Sequence, residues 1–200
     1  LNTNVIPETG PFTLSLWIKG SGRILSQYYN NLNGRFLFYT WPENSAISIR
    51  VGGEENGEFE LHSSTIISDT VWNHIVLQRD EDDWFRYYIN GQLDQATNQI
   101  TTNIDNHNTW IGGFYIQEDN QGWFDGSIDD LQIWSRVLSQ EEILQSIYEE
   151  NYGSGNESLV GNWSFNNALG SQLIDLSGNE NDGDINGATW ATETPQAGCS

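Results

Sequence analysis

The chain has 200 residues, 36% of them hydrophobic, with nine Trp, eight Tyr and eight Phe, enough for one substantial core. Seven Lys and Arg stand against 28 Asp and Glu, a formal charge of −21, which argues against nucleic acid and anionic membrane surfaces, because phosphate binding draws on basic side chains. The lone Cys199 permits no internal disulfide, zinc is disfavoured by three scattered histidines (His62, His74, His107), and no apolar run is long enough to cross a bilayer.

A surface this acidic suits solubility, divalent cations or saline surroundings, and most of its carboxylates are expected to form a solvated shell. Nine Trp exceed what packing demands, so some are expected to face solvent. The start at Leu1, with no signal-peptide apolar segment, fits a mature product or an excised domain.

Taken in order, a polar entry ends at Gly10-Pro11, and FTLSLWIK follows as a strand. Phe12, Leu14, Leu16 and Ile18 share one face of it, and Thr13, Ser15, Trp17 and Lys19 the other. RILSQYY is a second strand after Gly20-Ser21-Gly22, Asn33-Gly34 is a hairpin signal, and RFLFYTW and ISIRV flank Pro42. EENGEFELHSS is a weak strand, WNHIVLQRD and WFRYYIN are stronger ones, and Asn90-Gly91 closes a tight turn. TWIGGFYI precedes an acidic loop, Glu118 to Gly122. In the next strand Leu131 and Ile133 share one face with Asp129, leaving Ile128, Asp130, Gln132 and Trp134 on the other. Asp129 at the edge of an apolar face then needs a partner or a cation.

One helix is expected, near 139–150. Ser139 and Glu142 form a capping box, Leu138 and Ile143 a hydrophobic staple, Ile143, Leu144, Ile147 and Tyr148 a buried stripe, and Gly153 the stop. LVGNWSF is a last strand, and an Asp-, Asn- and Gly-rich loop runs to Trp190. Short strands spaced by turns predict an all-β, two-sheet antiparallel sandwich or jelly roll.

FTLSLWIK, WNHIVLQRD, YYINGQ, WIGGF and FDGSIDDLQIWSRVLSQEEI, in that order, resemble the laminin-G-like, concanavalin-A-like jelly-roll family of exported bacterial proteins. LVGNWSFNNALGSQLIDLSGNENDGDINGATW extends the resemblance to about residue 190. It implies one domain over 1–200, with the segment 159–190 returning to the same sandwich. It also implies an extracellular location, within a larger multidomain protein. Members commonly begin with an aromatic-Asp-Gly strand. Leu1 to Pro11 retains at most its end, so an edge strand is expected to be missing or supplied elsewhere. Trp17, Trp72, Trp134 and Trp163 sit in the family motifs and are assigned structural roles.

Related jelly rolls hold a structural calcium, and the resemblance carries this ion to Asp129, with a carbonyl from Asn166 or Asn167 and a weaker fit for Asp175 and Asp182. Calcium takes six to eight oxygens of mixed type, which these residues can offer. The alternative for DLSGNENDG is a set of Asx turns bonding their own backbone.

Carbohydrate is the expected partner. Arg35, Leu37, Tyr39 and Trp41 share a face of one strand, Ser48 and Arg50 a face of the next, and Trp84, Arg86 and Tyr88 a face of WFRYYIN. On a single sheet they would form an aromatic floor with guanidinium donors, suited to sugar C–H patches and hydroxyls. Tyr39, Trp41, Arg50, Trp84, Arg86 and Tyr88 are therefore the candidate ligand residues, with Tyr28, Tyr29, Tyr115 and Trp123 as possible rims. Jelly-roll hydrolases place carboxylates as Glu-x-Asp-x-x-Glu on one strand, and that triplet is absent. The Glu54, Glu55, Glu58, Glu60 cluster reads as a solvated loop. The expected function is a non-catalytic carbohydrate-binding module. An adhesion or spacer module with a protein partner is the alternative, ahead of a glycan hydrolase or lyase.

Overall fold

A computed structural model describes residues 1, 3–27, 34–41, 45–53, 57–97, 104–113, 123–149, 152–166 and 170–195. Tyr28, Tyr29, Asn33, Pro42, Glu54, Glu55, Tyr115, the loop 118–122, Asn167 and Cys199 lie outside them.

Two antiparallel sheets form the sandwich. The six-stranded sheet is ordered β11 (Leu159–Trp163), β10 (Asp125–Trp134), β1 (Phe12–Ser21), β6 (Asn73–Arg79), β7 (Phe85–Ile89) and β8 (Gln92–Thr97). The five-stranded sheet is ordered β5 (Gly57–Ile66), β4 (Ala46–Gly53), β3 (Arg35–Thr40), β2 (Arg23–Gln27) and β9 (Thr109–Ile111). A small ribbon, β12 (Gln172–Leu173) with β13 (Gly183–Asp184), stands apart. The jelly-roll expectation holds. The weak strand of the sequence is the ten-residue β5, and β8 was not foreseen, because GQLDQAT carries too little apolar alternation.

Phe12, Leu14, Leu16 and Ile18 of β1, Phe36 and Phe38 of β3, and Phe85 and Tyr87 of β7 meet between the sheets in one core. Phe12 sits edge-on to both Phe36 and Phe85, with centroids 6.2 and 6.1 Å away. The chain passes from one sheet to the other at Gly22, where β1 becomes β2. Any side chain at Gly20 or Gly22 would strike the backbone of Asp125 or Trp123. Glycine there lets two strands cross closely at the corner.

The entry segment packs along the edge of the five-stranded sheet. Thr109 N donates to Thr3 O at 3.0 Å and Val5 N to Thr109 Oγ1 at 3.3 Å, while Val5 and Ile6 are buried in the core. The segment therefore lies beside β9. The buried Arg79 secures its far end by donating to the carbonyls of Pro7, Glu8 and Gly10.

The helix α1 (Gln140–Tyr148) carries the full capping box. Glu142 also takes both guanidinium nitrogens of Arg136, at 2.9 and 2.6 Å. That hydrogen-bonded ion pair, helped by the Ser139 amide, holds the Glu142 carboxyl at about 2. The helix roofs the outer face of the six-stranded sheet, where Ile143 and Leu138 join Val76, Trp134 and Leu159 in a second cluster. The expected four-residue stripe is narrower than predicted: Ile143 is buried, but Leu144 and Tyr148 are exposed. Leu144 instead packs over Gly91 of the Asn90-Gly91 turn.

β11 pairs with β10, so LVGNWSF joins the main sheet. The loop after it is tied by Asp175. Its Oδ1 accepts from Asn162 N and Ser177 N, and its Oδ2 from Ser177 Oγ and Asn181 N, at 2.7–3.0 Å. Asn179 and Asn181 then donate to carbonyls of Leu159 and Val160. These are the Asx turns given as the alternative for this loop.

Candidate functional site

The six candidate ligand residues do not share one floor. Tyr39, Trp41 and Arg50 lie on or beside β3 and β4 of the five-stranded sheet. Arg86 and Tyr88 belong to β7 of the other sheet, with Trp84 just before it, on the opposite side of the sandwich. Alternation places side chains relative to their own strand, whereas sheet membership is set by distant pairing. Tyr88 packs against the cluster beneath α1, and Arg86 is paired with Asp80 at 2.7 Å. Trp84, at the turn before β7, is 37% exposed.

The outer face of the five-stranded sheet is organised in cross-strand rows. Arg35, Gly52 and Glu58 are register partners across β3, β4 and β5, and Arg35 and Glu58 pair across the glycine, which leaves the space between them open. Arg50 reaches both Glu58 (3.1 Å) and Glu60 (3.0 Å). The Tyr39 hydroxyl donates to Glu60, and Arg50 lies 5.9 Å from the Tyr39 ring centre. Burial first, then the bond to Glu60, pushes the Tyr39 hydroxyl above its ordinary pKa, so it remains a donor. His62 Nδ1 bonds Ser48 Oγ at 2.8 Å, and the Trp41 ring stands edge-on to His62 at 5.3 Å and tilted to Tyr39 at 6.0 Å. Glu58, Glu60 and His62 were not expected on this face, because EENGEFELHSS reads as only a weak strand and its glutamates as a solvated cluster. Its period-two placement of Glu58, Glu60 and His62 was the available signal.

The opposite side carries a cleft between α1, β1, β10 and the C-terminal segment. It brings together Trp17, Asp129, Asp130, Ile147, Tyr148 and Asn166. Asp129 arrives there by a route the sequence did not predict. Ser15 pairs with Gln132 but Trp17 pairs with Asp129, so one residue of β1 faces two of β10, with Asp130 at φ +46°. The extra residue reverses parity. Ile128 consequently turns inward onto the core and Asp129 outward beside Trp17, the reverse of the simple alternation. Asp129 Oδ1 accepts the Asp130 amide at 3.0 Å. Of the other expected calcium ligands, Asn166 lines the cleft and Asp175 lies outside it, its oxygens engaged in the loop. Among the described residues no group of three His, Cys, Asp or Glu is placed to hold a metal, so a cation here would rely on amide and carbonyl oxygens besides Asp129 and Asp130. Such hard oxygen donors are of the kind calcium accepts.

Of the motif tryptophans, Trp134 and Trp163 are fully buried and Trp17 nearly so. Beneath the helix, His74 is buried with Nε2 at 2.9 Å from Ser15 Oγ, and burial lowers its pKa to about 3.

Comparison with solved structures identifies the same architecture at low identity. The CBM40 module of the Ruminococcus gnavus IT-sialidase, solved with α2,3-sialyllactose, aligns with a TM-score of 0.58 at 18% identity, covering 68% of this chain and 82% of that one. A candidate carbohydrate-binding protein from Bacteroides ovatus aligns at 0.68 and 15% identity, over 96% of this chain and 59% of that one. A heptameric SAP-like pentraxin from Limulus polyphemus aligns at 0.54 and 18% identity, over 76% and 74%. No curated protein matches the sequence. The profile of the concanavalin A-like lectin/glucanases superfamily matches residues 1–144. With that match over most of its length and a lectin-like sandwich to house it, the chain belongs to the laminin G-like family of the concanavalin A-like lectins and glucanases.

Proposed function

We propose that this chain is a non-catalytic carbohydrate-binding module of an extracellular, multidomain protein, with its site on the outer face of the five-stranded sheet. The observation that carries the reading is Arg50 held between Glu58 and Glu60 beside the rings of Tyr39, Trp41 and His62. Fixed donors and acceptors next to aromatic edges suit a ring with hydroxyls on its rim and C–H groups on its face. The fold relatives that include a sialyllactose-bound module lend the same reading support. A glycan array with and without calcium tests it. Hits lost in Trp41→Ala and Arg50→Ala are expected, whereas an empty array favours a spacer or protein-binding module.

A structural calcium belongs to the same proposal, held by Asp129 and Asn166, which share the cleft. Bound there, the ion would fasten α1 and the C-terminal segment to β10. A cation that binds only the folded state raises the melting temperature by mass action. The expected result is a lower Tm after EDTA, restored by excess calcium. An unchanged Tm removes the ion from the proposal.

A further inference from the structure

Trp123 is 55% exposed, yet it is not a loose surface ring. Its six-membered ring lies on Gly113 so closely that any Cβ there would overlap it. Gly113 has no left-handed φ to require glycine, so the indole itself excludes other side chains. The backbone is fixed on both sides, with Phe124 N donating to Gly112 O at 3.0 Å and Trp123 O pressed against Gly22. An exposed indole already immobilised has little freedom left to lose when a ligand stacks on it.

Its position relative to the proposed site follows from register. Gly22 exchanges hydrogen bonds with Thr40, Gly22 N to Oγ1 at 2.7 Å and Thr40 N to Gly22 O at 2.9 Å, so Trp123 stands at the end of the sheet that carries Tyr39 and Trp41. At that end His62, Ser48, Tyr39 and Arg23 are successive register partners across β5, β4, β3 and β2. Three strand spacings make the row about 14 Å long. Trp41 stands against His62 at one end. At the other, Trp123 lies on Gly113 just after β9, and the Gly113 carbonyl accepts from Ser26 Oγ at 2.6 Å, Ser26 being the β2 partner of Leu37 on the same face as Tyr39.

We propose that this row is one binding track running across the strands, with Trp41 and Trp123 as its two platforms, and that its ligand is a linear oligosaccharide of at least three units lying lengthwise. The inference rests on the carbohydrate reading above and adds chain length and direction to it. Titration of the full chain with cello-, manno-, xylo- and galacturono-oligosaccharides of one to six units tests it. For the series that binds, affinity should climb at least about tenfold, or ~1.4 kcal/mol, between one and four units. Trp123→Ala should abolish that climb while leaving the short ligand's affinity in place. Gly113→Ala, which displaces the ring without removing it, should do the same with an unchanged urea midpoint. Affinity independent of length, or a climb that survives Trp123→Ala, overturns the track and leaves the carbohydrate reading standing. Binding of none of these series also overturns the track, and only an empty glycan array in addition removes the carbohydrate reading beneath it.

Discussion

The two outer faces of the sandwich are built from the same alternating strands and are finished differently. Over the six-stranded sheet, Thr13, Gln78 and Trp134 are covered by α1 and its flanks. Gln78 Nε2 donates to Leu138 O at 2.8 Å and Thr13 Oγ1 to Arg136 O at 2.7 Å, so even the polar groups there serve packing. Over the five-stranded sheet, Arg35, Arg50, Glu58 and Glu60 neutralise one another at the surface around aromatic rings. A face that has received a roof spends its side chains on stability. A face left open holds its polar groups in position by pairing them across strands, which is the condition for recognition. Substitutions on the first face should therefore cost stability and spare binding, and those on the second should do the reverse.

Trp134→Ala gives the largest expected effect. The ring is fully buried under α1, tilted against Tyr152 at 5.9 Å and beneath Arg136 at 5.2 Å. Its removal should cost about 3–5 kcal/mol in urea denaturation, and a loss confined to glycan binding would contradict the division of the faces.

Acid should produce a loss approaching that size through His74. The imidazole has a pKa of about 3 when folded, against 6.5 for the ordinary group, because burial disfavours its charged form. The unfolded chain therefore binds the proton more readily between these values, and stability falls as pH drops from about 6.5 toward 3. His74→Gln should flatten the Tm against pH curve over that window. Glu142, held at about 2, contributes stability that is present above its ordinary value of 4.5 and is lost as pH falls toward 2. That limb should persist in the His74 variant.

Asp175→Ala leaves four donors without their acceptor. At ~1–3 kcal/mol for each buried group stranded, a net loss of at least ~2 kcal/mol is expected, with calcium response unchanged because Asp175 lies outside the cleft. Ser139→Ala removes the helix cap and should cost about 1 kcal/mol, read as a shift in urea midpoint at constant m-value. Arg50→Ala is expected to cost under ~1 kcal/mol of stability, as surface pairs do, but to abolish binding on the array. A large stability loss with intact binding would assign the open face to structure as well.

Much of this was legible from the residues. The period-two runs of β1, β3 and β7 located their strands and core faces, and the apolar run of β6 its strand. Ser139 and Glu142 located the helix start, because a capping box is a contact within one turn. Half the candidate site was legible too: Tyr39, Trp41 and Arg50 do meet on one face. Trp84, Arg86 and Tyr88 have the same pattern but sit on the other sheet, and nothing local distinguishes the two cases. Glu58, Glu60 and His62 were passed over because glutamates beside Gly and Asn resemble a solvated loop, although Phe59 and Leu61 alternate with them toward the core.

The stretch from Trp123 to Tyr148 separates the two kinds of information most sharply. Its residues alone fixed a strand, a cap and a helix, each of which depends on neighbours within a few positions. Only the pairing of β1 with β10 decided where the extra residue would be absorbed. That bulge turned Asp129 outward to the cleft and Ile128 inward to the core. Likewise, only the folding of Phe124 onto Gly112 decided that the Trp123 ring would close on Gly113. Strand parity is a local property until a bulge or a crossing resets it, and those are set by partners a hundred residues away.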